Sequence, residues 1–205
     1  MTYPVVELRQ YTLHPGRRDD LIELFDREFV ETQEATGMAV LGQFRDVHRP
    51  DRFVWLRGFP DMASRAESLA AFYGGPVWAA HKDEANATMA TFDDVLLLRP
   101  VPPGTGLPQA AARTGEVPAS RIVVTLHFAD RPFDTYPRPD LPPLACFTTE
   151  YAPNTFPALP VREGEHVFAW FARLDDQAAA DAYLADRRGS EPVLVLAPTA
   201  RSLLR

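Results

Sequence analysis

Cysteine is nearly absent from this chain: its 205 residues include one, Cys146. No internal disulfide can form, and no cysteine pair is available for a metal or redox motif. An excess of basic residues is also missing, since 21 Lys and Arg face 28 Asp and Glu for a formal net charge of −7. A general nucleic-acid binder needs a basic face that displaces counterions from phosphates, so that class is set aside. No apolar run approaches the ~20 residues that span a bilayer. The first residues, Met-Thr-Tyr-Pro-Val-Val-Glu, have neither a basic nor an apolar export region, and a cytoplasmic protein is expected. There is no Gly-rich phosphate loop, no Gly-x-Ser-x-Gly elbow and no His-x-x-x-His spacing, which removes ATP-driven, serine-hydrolase and metal-centred readings. No metal, no tightly held cofactor and no membrane or nucleic-acid partner is expected.

Proline is abundant instead. Most of the 20 prolines fall between residues 100 and 160, and that clustering marks the main internal boundary. Before it, the order of elements is legible. Val5 to Leu13 alternates as a strand, with Val6, Leu8, Gln10 and Thr12 on one face and Val5, Glu7, Arg9, Tyr11 and Leu13 on the other. Pro15-Gly16 turns the chain into an amphipathic helix over 17–36, with Leu21, Ile22, Leu24, Phe25 and Phe29 on one side. Gly37 ends it. Strands follow over 38–47 and 53–59, then a short helix begun by a Ser64/Glu67 capping box. Gly74-Gly75-Pro76 stops that helix and opens another over 77–90, and 94–99 is a fourth strand. This β-α-β-β-α-β order is a ferredoxin-like unit, in which the first and third strands lie side by side.

Residues 101–120 carry no sustained apolar period and read as a linker. Beyond them the pattern returns in fainter form. Phe53-x-Trp55 with Asp61, Ala63 and Leu69 is echoed by Phe168-x-Trp170 with Asp176, Ala178 and Leu184, and 95–100 is echoed by 193–198. The expected organisation is a first module over 1–100 and a degenerate second module over 121–205. In the second, the place of the long helix is taken by the proline-dense stretch 130–140, which cannot hold one. An apolar sheet face left without its helix must be covered by that stretch, by the other half or by another subunit.

The run Glu7-Leu8-Arg9-Gln10-Tyr11-Thr12-Leu13-x-Pro15-Gly16-Arg17 resembles the opening signature of NIPSNAP-domain proteins. So does Phe53-Val54-Trp55-Leu56-Arg57-Gly58-Phe59-x-Asp61-Met62-x-x-Arg65, followed by Phe72-Tyr73 and Trp78. The resemblance covers about residues 4–100. It implies an α+β fold of the dimeric α+β-barrel superfamily, in which two ferredoxin-like sheets pair into a barrel with helices outside. Here the tandem modules would close that barrel within one chain, as an intrachain pseudo-dimer, or between chains in a homodimer. The wider superfamily includes cofactor-independent monooxygenases, isomerases and cyclases of aromatic compounds, and haem enzymes. None of their residue roles transfers onto these motifs. The Pro-, Ala- and Arg-rich composition points to a bacterial source.

Pairing the first and third strands places Glu7, Arg9 and Tyr11 on one face with Phe53, Trp55 and Arg57. Val6, Leu8, Val54 and Leu56 would then lie beneath the helices, leaving the polar and aromatic set toward the barrel interior or a cleft. There the arginines would hold an anionic or phenolic ligand and the aromatics would stack on it. The alternative is a polar network in which Glu7, Arg9 and Arg57 neutralise one another. Tyr73, Trp78 and His81 form a second group, with His81 as a proton carrier or, in the structural alternative, a satisfied core histidine. His127 would point into the same interior as Arg9. The resulting expectation is a small-molecule-binding protein acting by acid–base chemistry on an aromatic or polyketide-like substrate, with Arg9, Tyr11, Arg57 and His81 in the reaction. Glu7, Phe53, Trp55, Tyr73, Trp78 and His127 would line the ligand. The rival is a non-catalytic interaction or assembly module, and an enclosed cavity lined by these residues separates the two.

Overall fold

The computed structural model describes residues 3–102, 107 and 112–205. The chain folds as an α+β structure whose strands are all antiparallel to their neighbours. The strands are β1 (Val5–Leu13), β2 (Ala39–Asp46), β3 (Arg52–Phe59), β4 (Met89–Pro100), β5 (Arg121–Ala129), β6 (Ala145–Thr149), β7 (His166–Leu174) and β8 (Val193–Pro198). They close into one barrel in the order β1-β3-β2-β8-β5-β7-β6-β4. Two short seams complete the closure. At one, Phe44 to Asp46 of β2 pair with Pro198 to Leu196 of β8. At the other, Leu98 to Pro100 of β4 pair with Thr149 to Phe147 of β6.

Eight strands make a barrel just wide enough for its own side chains. Its interior is filled by Val6, Leu8, Val54, Leu56, Leu96 and Leu98 from one half and Ile122, Val124, Leu126, Phe147, Ala169 and Phe171 from the other. This reverses the expected sidedness. Val6, Leu8, Val54 and Leu56 face the lumen, and Glu7, Arg9, Tyr11, Phe53, Trp55 and Arg57 lie beneath the helices. The physical reason is dielectric: a dry, filled lumen has no partners for a charge, whereas the helices on the outer face supply polar side chains.

Those helices are α1 (Arg18–Leu24), α2 (Val30–Glu34), α3 (Met62–Tyr73) and α4 (Pro76–Asn86) over the first half and α5 (Gln177–Asp186) over the second. The helix expected over 17–36 is interrupted by a π turn at Phe25–Phe29, which seats both phenylalanines against the sheet. Gly37, at φ +96°, supplies the left-handed residue that ends this segment. α3 starts earlier than the Ser64/Glu67 pattern suggested. Asp61 is its cap, with the Ser64 backbone N–H donating to Oδ1 at 2.6 Å. α4 ends at Asn86 rather than 90, because β4 starts at Met89, where it already pairs with Leu13 across a bulged register.

The stretch 130–140 forms no helix. Phe133 and Tyr136 instead pack on Phe168, Tyr136 stacking on it at 5.0 Å and 19°. Residues 103–106 and 108–111 of the expected linker lie outside the described residues. After them, Arg113 donates to Glu34 and to the Val40 carbonyl. No helix among the described residues is long and apolar enough to cross a membrane.

Cys146, on β6, is fully buried, and burial pushes its thiol up to about 11. It is therefore expected to stay unmodified by a thiol reagent in the native protein and to react stoichiometrically only after denaturation. Rapid labelling under native conditions would contradict this packing.

Candidate functional site

β1 and β3 build the floor of the site. Their register puts Glu7 opposite Arg57, Arg9 opposite Trp55 and Tyr11 opposite Phe53, all on the helix-facing side. A third arginine arrives from α3: Arg65 shares the buried helix face with Leu69 and Phe72. Three guanidinium groups therefore meet one carboxylate. Arg9 Nη1 and Arg57 Nε donate to Glu7 Oε2 at 2.6 and 2.7 Å, and Arg65 Nε donates to Oε1 at 2.6 Å. All four residues are fully buried. Burial alone would push the Glu7 carboxyl up, but the combined charge of Arg57, Arg9 and Arg65 outweighs it and holds Glu7 far below the usual carboxylate range.

The charges do not cancel, since one negative faces three positives. Nη2 of each arginine is buried and has no hydrogen-bond partner among the described residues. Aromatic faces take up part of the excess: the Trp55 ring has Arg57 at 5.1 Å and Arg9 at 5.6 Å from its centroid. The expected self-neutralising network is thus present in part, with two cationic charges left over.

Above this floor, between the sheet and the helices, is a cavity of about 300 Å³. Tyr11 and Trp55 form its base, Phe25, Phe29 and Gln33 one wall, and Phe72, Tyr73 and Trp78 another. Phe92, also in the lining, is 40% exposed, so the cavity reaches the surface there. The arginines stand one layer behind. Arg9 Nε donates to the Tyr11 hydroxyl oxygen at 2.9 Å, and Arg57 Nη1 reaches the Tyr73 oxygen at 3.5 Å and Gln33 Oε1 at 3.4 Å. Gln33 in turn donates to the Phe29 carbonyl at the end of the π turn, at 3.0 Å, which fixes its amide. Burial pushes the Tyr11 phenol up, against the opposing pull of Arg9, so it is a neutral donor at physiological pH.

The roof comes from the other half of the chain. Phe156, Ala158 and Leu159, in the connection between β6 and β7, line the cavity, and Phe156 stacks on Tyr73 at 5.9 Å and 26°. The connection is held down by Arg65, whose Nη1 donates to Asn154 Oδ1 at 3.0 Å and Thr155 Oγ1 at 3.3 Å. At its far end Arg162 bonds Asp94 of β4 at 3.0 Å. One residue thus ties the charge cluster to the roof.

Residues 6–102 match the NIPSNAP family model. The matched half therefore contributes the whole floor and the helical walls of the cavity. A NIPSNAP-like domain protein from Burkholderia xenovorans is similar at 24% identity over 51% of this chain and 90% of its own, with a TM-score of 0.46. Two candidate monooxygenases of known structure match over nearly the full length. One, from Lactobacillus acidophilus, is 10% identical, covers 99% of both chains and has a TM-score of 0.54. The other, from Fusobacterium nucleatum, is 8% identical over 97% of this chain and 93% of its own, at 0.57. Identity this low shows a shared fold alone. No curated protein matches the chain.

Among the residues expected at the site, Tyr11, Trp55, Tyr73 and Trp78 line the cavity, while Glu7, Arg9 and Arg57 lie directly behind the lining. Phe53 is buried beside Phe25, at 5.5 Å, and does not reach the cavity. His81 packs outside it, near Glu28 and Glu84 at 3.6 and 3.5 Å, because its side of α4 faces the π turn's acidic edge. His127 does not share an interior with Arg9. It lies on the outer face of the second half, where its Nε2 accepts from Trp170 Nε1 at 3.3 Å, and it lines a separate polar pocket of about 450 Å³.

Arg65, Gln33 and the roof were not in the expected set. Arg65 and Gln33 carry a readable signal, since each occupies a buried-face position of its helix, in step with Leu69 and Phe72 and with Phe25 and Phe29. The roof carries none. Among the described residues no group of three or more His, Cys, Asp or Glu is disposed to hold a metal ion.

Proposed function

We propose that this chain is a cytoplasmic, NIPSNAP-like small-molecule-binding protein that acts on an aromatic or polyketide-like ligand in the cavity beneath its helices, without a tightly held cofactor. The observation that carries this reading is the orientation of Tyr11. Its oxygen already accepts a hydrogen bond from Arg9, so its proton is free for a ligand, and the guanidinium behind it strengthens that donor. Tyr73, backed by Arg57, offers a second phenol within the same lining. Two such donors in a cavity walled largely by aromatic side chains stabilise negative charge developing on a ligand oxygen, the role of an oxyanion hole. The aromatic walls supply the stacking surface for a planar ring.

Among the described residues the lining holds no carboxylate and no histidine. Acid–base chemistry here therefore rests on the phenols as donors, and a proton leaving the ligand passes to water rather than to His81. We further infer that residues 1–100 and 121–205 are tandem ferredoxin-like modules that close as an intrachain pseudo-dimer. In support, taking Trp170 as the counterpart of Trp55, the registers set Val123, Thr125, His127 and Ala172 in the places of Glu7, Arg9, Tyr11 and Arg57. The second module thus keeps the aromatic and loses the charges. Every barrel edge is paired within the chain, so a homodimer would form through outer faces, and native mass spectrometry reads its presence directly.

Calorimetric titration with 2-naphthol, a planar phenol, tests the binding reading. One site per chain is expected, and the double variant Y11F/Y73F is expected to weaken binding about tenfold or more, the loss of one or two charge-assisted hydrogen bonds. Absence of binding at millimolar probe, or undiminished affinity in the double variant, would sink the proposal.

A further inference from the structure

On the side of the cavity nearest the arginines the hydrogen-bonding inventory is one-sided; among the described residues the other polar side chain of the lining is Asn86, at the end of α4. Tyr11 and Tyr73 have their oxygens engaged by arginines and present protons. Trp55, a third lining residue, has a buried indole N–H without a partner, and an indole N–H can only donate. Gln33, the polar residue on the opposite wall, accepts from Arg57 through its oxygen and gives one of its two N–H donors to the Phe29 carbonyl. The aromatic and amide groups nearest the arginines thus offer free donors, while each of their oxygens already accepts from an arginine.

Charge points the same way. Among the described residues Glu7 is the only carboxylate bonded to Arg9, Arg57 and Arg65, so the cluster behind the lining carries a surplus of two positive charges with one unbonded Nη2 on each guanidinium. A buried cation without a counter-charge is costly, and the cost falls when a negative charge enters nearby. Because the arginines are fully buried, dissolved salt screens this field little.

From these two observations we infer that the cavity selects a planar aromatic anion, an aryl carboxylate or a ring-borne enolate or phenolate, whose ionised oxygens accept from Tyr11, Tyr73 and Trp55 and carry no donors of their own. The ligand supplies the counter-charge that the three-arginine cluster lacks. This specificity rests on the binding reading above, and the two fail separately.

The test compares three probes of one shape on the full-length wild-type protein by titration calorimetry: 2-naphthoate, 2-naphthamide and the cationic 2-naphthylmethylammonium. The expected order is carboxylate at least tenfold tighter than amide, with the ammonium ion weakest, and a preference that changes less than threefold between low and physiological salt. A second arm uses 4-nitrophenol, whose phenolate is read by its visible absorbance. Bound to the protein, its apparent pKa is expected to fall by about one unit or more, a tenfold preference for the anion. If the amide binds as tightly as the carboxylate, or the nitrophenol titrates unshifted or upward, the anion specificity is wrong while aromatic binding stands. If none of the four probes binds, both readings fall. No variant is needed, so misfolding cannot mask the outcome.

Discussion

Replacing Glu7 by glutamine is expected to lower the thermal unfolding midpoint by about 6–20 °C. Among the described residues Glu7 is the single anion bonded to the three buried guanidinium groups of Arg9, Arg57 and Arg65. Removing one partner of a buried ion pair costs roughly 3–5 kcal/mol, because the remaining charges stay buried without compensation. For a chain of this length each kcal/mol moves the midpoint by about 2–4 °C. The pH dependence has a definite sign. Glu7 titrates lower in the folded protein than in the unfolded chain, so its contribution is fully present above the unfolded value of about 4.3 and is lost as the pH falls below it. The wild type should lose this increment on acidification and E7Q should have none to lose. Scanning calorimetry of both proteins between pH 3 and 7 checks it. A variant melting within 2 °C of wild type would mean that the arginines are neutralised some other way.

A second large effect is expected from separating the halves. Residues 1–102 alone would leave β2 and β4 without their seam partners and expose the inner face made by Val6, Leu8, Phe44, Val54, Leu56, Leu96 and Leu98. Edges and a face of that kind are templates for pairing with another chain. The fragment should therefore be a dimer or aggregate in light scattering, with no cooperative monomeric melting transition. It should also bind 2-naphthol more weakly than the full chain, since Phe156, Ala158 and Leu159 are lost from the cavity and Arg65 loses Asn154 and Thr155. A well-folded monomer would contradict the dependence of one half on the other.

Much of this arrangement is legible in the sequence, and the boundary of legibility has a physical form. Period-two alternation in Val5–Leu13 and 53–59 groups Glu7, Arg9, Tyr11, Trp55 and Arg57 on one face, as the registers have them. Alternation tells which side chains share a face but not which face turns inward. Sidedness depends on how many strands close the barrel and on what the helices offer in return. The π turn that seats Phe25 and Phe29 leaves no pattern distinct from an ordinary amphipathic helix. Asp61 and Gly37 follow local rules and are readable; Asn154, Thr155 and Phe156 meet the site from about 90 residues away along the chain and are not.

The roof crossing from one half onto the cavity of the other has an evolutionary consequence. In an assembly of two identical chains every substitution appears twice, so a residue that improves a lid in one place must be tolerated as part of a floor in the other. A single chain that closes its own barrel is free of that symmetry. Tyr136 can fill the seat over Phe168 while Phe25 stays clear to line a cavity, and Phe156 can be shaped as a cover without being mirrored. Mutational tolerance should accordingly be unequal: residues 121–205 can drift wherever they neither fill the barrel nor touch Arg65, while the strands bearing Glu7, Arg9 and Arg57 are constrained at nearly every second position.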